Sequence, residues 1–218
     1  MGAALVPVLL ALFVLHRLMP KPLQPYGRLG RAFAAGTFAI VPALVVSLLV
    51  GESSVGDNVV AAFARQFVLT GLIEETSKFM GLVLLAWPPA YTGRPSAAAI
   101  LGAFAGVGFA AAEILLIAES PSILRGITAV PFHALATSSL IAFFSAHRNL
   151  PQKTLACVAA TALVHTLYNY AAMELPPFLA IGPALLTIWA VALIRLLRRS
   201  DVRYLGRTPN KTRSTSIR

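Results

Sequence analysis

The chain has 218 residues, of which 57% are hydrophobic and 12% charged, and a formal net charge of +10. A soluble domain of this size could not bury so much apolar surface in one core, so lipid must form part of its solvent. The basic balance could suggest nucleic acid, but the cations lie at the ends of apolar stretches, and no nucleic-acid partner is expected.

Crossing a hydrocarbon core takes about 20 residues. Apolar stretches of that order cover 2–19, 32–50, 66–87, 96–117, 128–146, 154–172 and 178–197. The first carries His16, Arg17 and Lys21 after its apolar run and has no basic start, so it reads as a retained span and not a cleaved signal. Pro20, Pro22 and Pro25 punctuate its end. Segment 57–65, DNVVAAFAR, is either an amphipathic helix on the outer surface or a continuation of the third span. Pro88 and Pro89 end that span, and Ser96 is placed to cap the fourth.

In the fourth span, SAAAILGAFAGVGFAAAE, the small residues Gly102, Gly106 and Ala110 recur at four-residue spacing. Such a face lets neighbouring backbones come close and makes this span a central one. Pro151 precedes the sixth span, which holds Cys157; a single cysteine supports neither an internal disulfide nor a Cys-based metal site. Pro176 and Pro177 precede the seventh. The serines within spans, Ser47, Ser138, Ser139 and Ser145, are expected to bond back to their own helices.

The expected fold is therefore all-α, a polytopic transmembrane bundle of about seven spans. With the N-terminus outside, the inner segments hold 15 of the 18 Lys and Arg, while the outer loops carry Glu52, Asp57, Glu119 and Glu174 with Arg125. This bias sets the N-terminus out and the C-terminus in. Residues 1–200 read as a single membrane domain, and 201–218 as a basic cytoplasmic tail without fixed structure.

Ionisable groups inside the hydrocarbon are then few: Glu74, Glu75, Lys78, Glu113, His133 and His165. At such depth each costs at least a few kcal/mol and is kept where it faces a polar cavity or another such group. Counted along their spans at 1.5 Å per residue, the acids and imidazoles of four successive helices fall in one layer, roughly 6–12 Å beneath the outer surface. Glu74 and Glu75 point about 100° apart on a helix. Lys78 is within reach of either, so one glutamate can work while the other is held ionised by the lysine. His165 and Asn169 share a face, as do His133 and Thr137, and Phe109 lies one turn from Glu113. Two aligned donors are what an oxyanion needs.

These patterns carry a specific resemblance. GLIEETSK resembles the EExxK motif of the PrsW family of intramembrane proteases, GFAAAE its FxxxE motif, PFHAL its isolated histidine and HTLYN its final HxxxN-like motif. They occur in the family's order across residues 71 to 169. The PrsW family is in turn similar to the type II CAAX-prenyl proteases and bacteriocin-immunity proteins. The resemblance implies a membrane-embedded endopeptidase in a bacterial cytoplasmic membrane, acting on a membrane-protein or peptide substrate. The family's named activity is the first cut of a membrane-bound anti-sigma factor on its extracytoplasmic side.

Carried over, the resemblance makes Glu74 or Glu75 the activator of water, lets Glu113 and His133 complete the site, and gives His165 and Asn169 the water, a metal or the developing oxyanion to bind. Lys78 and Phe109 would support them. In the prenyl-protease relatives the second motif ends in His, where this chain has Glu113. A divalent metal, Zn²⁺ first, would be held by Glu75, Glu113, His133 and His165, lowering the pKa of its water to about 7. A metal-free route with a glutamate base stays open.

HExxH and GxSxG are missing from the sequence, and its aspartates, Asp57 and Asp201, lie at polar ends, so zincin, serine-elbow and paired-aspartate designs lack their residues. The competing classes are a proton- or ion-coupled transporter and a non-catalytic immunity or scaffold protein. A transporter would spread titratable groups through the bundle's depth, whereas here the inner halves of the spans are almost without them.

Overall fold

A lipid core offers the backbone no partners but its own, so long apolar stretches must fold as helices. The computed structural model describes residues 5–18, 26–50, 59–86, 94–116, 123–147, 150–174 and 178–207, and among them every regular element is helical. The elements are α1 (Val6–Leu18), α2 (Tyr26–Phe38), α3 (Ile40–Val50), α4 (Val59–Gln66), a π turn (Phe67–Leu72), α5 (Ile73–Leu85), α6 (Pro95–Leu116), α7 (Ile123–His147), α8 (Pro151–Glu174) and α9 (Phe178–Arg207). Glu52, Asp57, Glu119, Ser47's side chain and the prolines at 20, 22, 25, 88, 89, 176 and 177 lie outside the described residues.

Five rods are long and apolar enough to cross a membrane: Tyr26–Val46, Pro95–Leu116, Gly126–His147, Pro151–Ala172 and Ile181–Asp201. At 1.5 Å per residue a 22-residue rod such as α6 is about 33 Å long, the thickness of a hydrocarbon core. The two remaining predicted spans differ from these for identifiable reasons. α1 is apolar, but its described length is 13 residues. The rod formed by α4, the π turn and α5 carries Arg65, Glu74, Glu75 and Lys78 along its length. The part of segment 57–65 that is described runs without a break into the third span, so it continues that helix.

α2 and α3 form a single rod broken at Ala39. Pro42 has no N–H to give the Phe38 carbonyl, and the chain tightens there, with the Ala39 N–H reaching both Ala35 O at 3.0 Å and Gly36 O at 3.1 Å. α6 is the centre of the bundle. Every residue from Leu101 to Ile114 is buried, and α6 packs on α7 along one side and α2 along the other. The small-residue face expected there is what permits this. A methyl group on Gly102 would lie 2.6 Å from the Thr137 carbonyl oxygen, and one on Gly106 would lie 2.8 Å from the Ala134 Cα, so α6 and α7 touch backbone to backbone.

Two local expectations change. The N-terminus of α6 is capped by Asp201 of α9, whose Oδ1 accepts the Ser96 N–H at 3.4 Å, instead of by the Ser96 hydroxyl. α9 thus stays helical through Arg207, past the start of the predicted tail, while 208–218 lie outside the described residues. Ser138 donates across the bundle to Ala99 O at 2.8 Å, and Ser139 accepts from Trp189 Nε1 at 3.2 Å, so these hydroxyls join helices. The back-bonding pattern belongs instead to threonines, Thr37, Thr161, Thr166 and Thr187, each donating to the carbonyl four residues earlier.

Candidate active site

The π turn ends two residues before Glu74. In it Gly71 sits against α8, where a methyl group would lie 2.7 Å from both Ala162 O and Thr166 Oγ1. That close approach brings the start of α5 beside the middle of α8, and thus Glu74 and Glu75 beside His165. α7 supplies His133 two residues after Pro131, and α6 supplies Glu113 near its end.

All six ionisable residues are buried, Glu75 and Lys78 completely. Adjacent glutamates 100° apart on α5 take hold of one imidazole from two sides: Glu75 Oε1 lies 2.9 Å from His165 Nδ1, and Glu74 Oε2 lies 3.7 Å from His165 Nε2. The same Glu75 oxygen accepts a bond from Lys78 Nζ. Lys78 Nζ also lies 3.0 Å from His133 Nδ1, and His133 Nε2 is 2.8 Å from Glu113 Oε2. One polar chain therefore runs from Glu113 through His133, Lys78 and Glu75 to His165, across α6, α7, α5 and α8.

Aromatic rings seal it. The Lys78 ammonium stands 4.3 Å from the centroid of Phe109, which also packs on His133 at 5.1 Å. Phe132 contacts both imidazoles and stacks on Tyr168 at 4.2 Å, whose hydroxyl donates to Thr128 Oγ1 at 2.9 Å.

Two features fit this cluster to a cation. Donor atoms of Glu74, His133 and His165 converge within 4.8 Å of one another, and the buried Glu74 Oε2 and Glu75 Oε2 have no hydrogen-bond partner among the described residues. Charge points the same way. Three carboxylates face one ammonium, leaving two negative charges that either two protons or one divalent cation would balance in a low-dielectric setting.

The chain matches the PrsW family of intramembrane metalloproteases over residues 24–197, most of its length. It belongs to that family. Among curated proteins and among solved structures, none matches. PrsW membership makes the chain a membrane-embedded peptidase, a hydrolase that acts on membrane-protein substrates within a bilayer, and the apolar rods make it an integral multi-pass protein.

In this PrsW protein the residues anticipated from sequence gather as follows. Glu74, Glu75, Lys78, Glu113, His133 and His165 form one cluster with Phe109 against it. The pairing of one glutamate with Lys78 holds, and the paired one is Glu75. The converging donor group contains Glu74 in place of the anticipated Glu75 and Glu113, because Glu75 Oε1 is occupied by Lys78 and His165 and Glu113 lies on the far side of His133. Asn169 is half-buried one turn beyond His165, and among the described residues no hydrogen bond ties it to the cluster. Sequence reasoning missed Phe132 and Tyr168. Both sit inside the quoted motifs, PFHAL and HTLYN, and an aromatic within one turn of each histidine was the available signal.

Proposed function

We propose that this PrsW protein hydrolyses peptide bonds of membrane-associated proteins at the Glu74 and His165 pair, near the extracytoplasmic face of a bacterial cytoplasmic membrane. The observation that carries this reading is the buried Glu74 carboxylate. It makes no hydrogen bond among the described residues, and its Oε2 faces His165 Nε2. A buried acid left unsatisfied is costly, and the space between these atoms suits a water or a cation bound by both.

In this reading Glu74 receives the proton of the attacking water and passes it to the leaving amine. Glu75, anchored by Lys78, orients His165 through Nδ1, and Asn169 with His165 meets the developing oxyanion. Glu74 and His165 would hold a divalent ion such as Zn²⁺, with the His133 ring beside them. Bound there, it would polarise the scissile carbonyl and bring the pKa of water down to about 7. Seven spans with the N-terminus outside, the count including α1 and the α4–α5 rod, would put the cluster just beneath the outer surface. A membrane-bound anti-sigma factor, cut first on its extracytoplasmic side, is the proposed substrate.

The test is cleavage by the full chain in liposomes, with single-span peptides whose outer juxtamembrane segment is varied and product masses as readout. Glu74→Gln and His165→Gln should each lose at least about 100-fold in rate. Cutting at the parent's rate by both variants would overturn the assignment.

A further inference from the structure

Among the described residues Lys78 is the largest side chain with no exposure at all, and its ammonium has three neighbours there: Glu75 Oε1, His133 Nδ1 at 3.0 Å and the Phe109 ring. An ammonium has donors only. Where it meets His133 it must donate, so Nδ1 must present a lone pair. A neutral imidazole has a single N–H, which then sits on Nε2 and points at Glu113 Oε2, 2.8 Å away. Both nitrogens of His133 are thereby committed. At His165 the arrangement is the reverse. Nδ1 donates to Glu75 Oε1, and the lone pair of Nε2 is left facing Glu74.

We infer that Lys78 is a positioning residue that locks His133 in its Nε2–H tautomer and so withdraws it from any ion held at the cluster, leaving Glu74 and His165, of the three converging residues, as the ligands with free lone pairs. Of the two imidazoles within reach of an ion, one ligates and the other is a fixed N–H donor to Glu113. The lysine therefore does more than neutralise Glu75. It divides two histidines of equal burial into different roles. The part concerning an ion rests on the function proposed above; the tautomer does not.

Ring-nitrogen NMR of the full chain, labelled with ¹⁵N-histidine and held in lipid nanodiscs, reads the tautomer with neither metal nor substrate. His133 is identified by the signals lost in His133→Gln. The parent should show His133 protonated at Nε2 alone, Lys78→Arg should keep that pattern because a guanidinium is also donor-only, and Lys78→Met should lose it. A proton on Nδ1 or on both nitrogens in the parent, or an unchanged pattern in Lys78→Met, would overturn the inference. Should Lys78→Met fail to fold, the parent and Lys78→Arg spectra decide.

X-ray absorption of the Zn²⁺-loaded chain counts imidazoles on the ion. One is expected in the parent and two in Lys78→Met, with retention against a chelator raised about tenfold; two in the parent would overturn the withdrawal. Failure of Zn²⁺ to bind any form would count against the metal part of the proposed function, while the NMR pattern would still decide the role of Lys78.

Discussion

The two glutamates of the site occupy unlike surroundings although they are neighbours in sequence. Glu75 is completely buried and accepts from both Lys78 and His165, whereas Glu74 makes no hydrogen bond among the described residues. Opposite stability effects are therefore expected from the same substitution. Glu75→Gln strands the Lys78 ammonium and should lower stability by about 3–5 kcal/mol, the cost of breaking a buried ion pair. Glu74→Gln removes a charge that has no bonded partner and should leave the melting temperature unchanged or raised while cleavage is lost. Thermal unfolding of both variants in the same metal-free lipid preparation, beside the cleavage assay, checks the contrast. The three-residue spacing of Glu75 and Lys78 made their pairing legible in sequence. Which glutamate it would be was not, since Lys78 reaches either on a helical wheel, and the choice is made by His165 on a helix 90 residues away. The Lys78 contact with His133 was illegible for the same reason.

At the scale of the element, α6 sets the spacing of the site, because its glycines hold α7 at backbone contact. Gly106→Ala would drive a methyl group into the His133 and Ala134 backbone, and neither end of that contact is a flexible side chain. A loss of about 1–3 kcal/mol is expected, with a larger loss of cleavage as His133 moves. Gly30→Ala on α2 is the matched control: nothing lies within 4 Å of its added methyl, and stability should hold or rise by up to about 1 kcal/mol. The same unfolding and cleavage measurements cover both. This face was readable from the four-residue spacing of small residues. The cap on α6 was not, because Asp201 is over a hundred residues from Ser96 and no local pattern links them.

For the molecule as a whole, the predicted spans include five rods that are apolar enough by themselves and a sixth helix, the α4–α5 rod, whose polar residues build the site. Function and hydropathy pull against each other in that helix, which is why composition alone undervalues it as a membrane element. The proposed seven crossings with the N-terminus outside lead to a direct outcome. In a variant with Cys157 replaced, cysteines placed at positions 2 and 212 should react with a membrane-impermeant maleimide from opposite sides of the membrane, position 2 from the outside. Labelling of both from one side would remove the odd span count. The cluster's two surplus negative charges predict one divalent ion per gently purified chain, and its removal by a chelator should lower the melting temperature as well as cleavage. Elemental analysis and unfolding with and without chelator check this.

The π turn has a consequence for how the site tolerates change outside it. A turn of that kind holds one residue more than an α-helix needs. Deleting Val68, which is half-exposed, should let the rod close up into ordinary α-helical bonding, with Gly71 still seated on α8 and the acids of α5 undisturbed. What swivels is α4, by about 100°, and no residue of α4 is buried. The α4 end of this rod is thus free to vary in register and facing while the buried cluster at the start of α5 keeps its place.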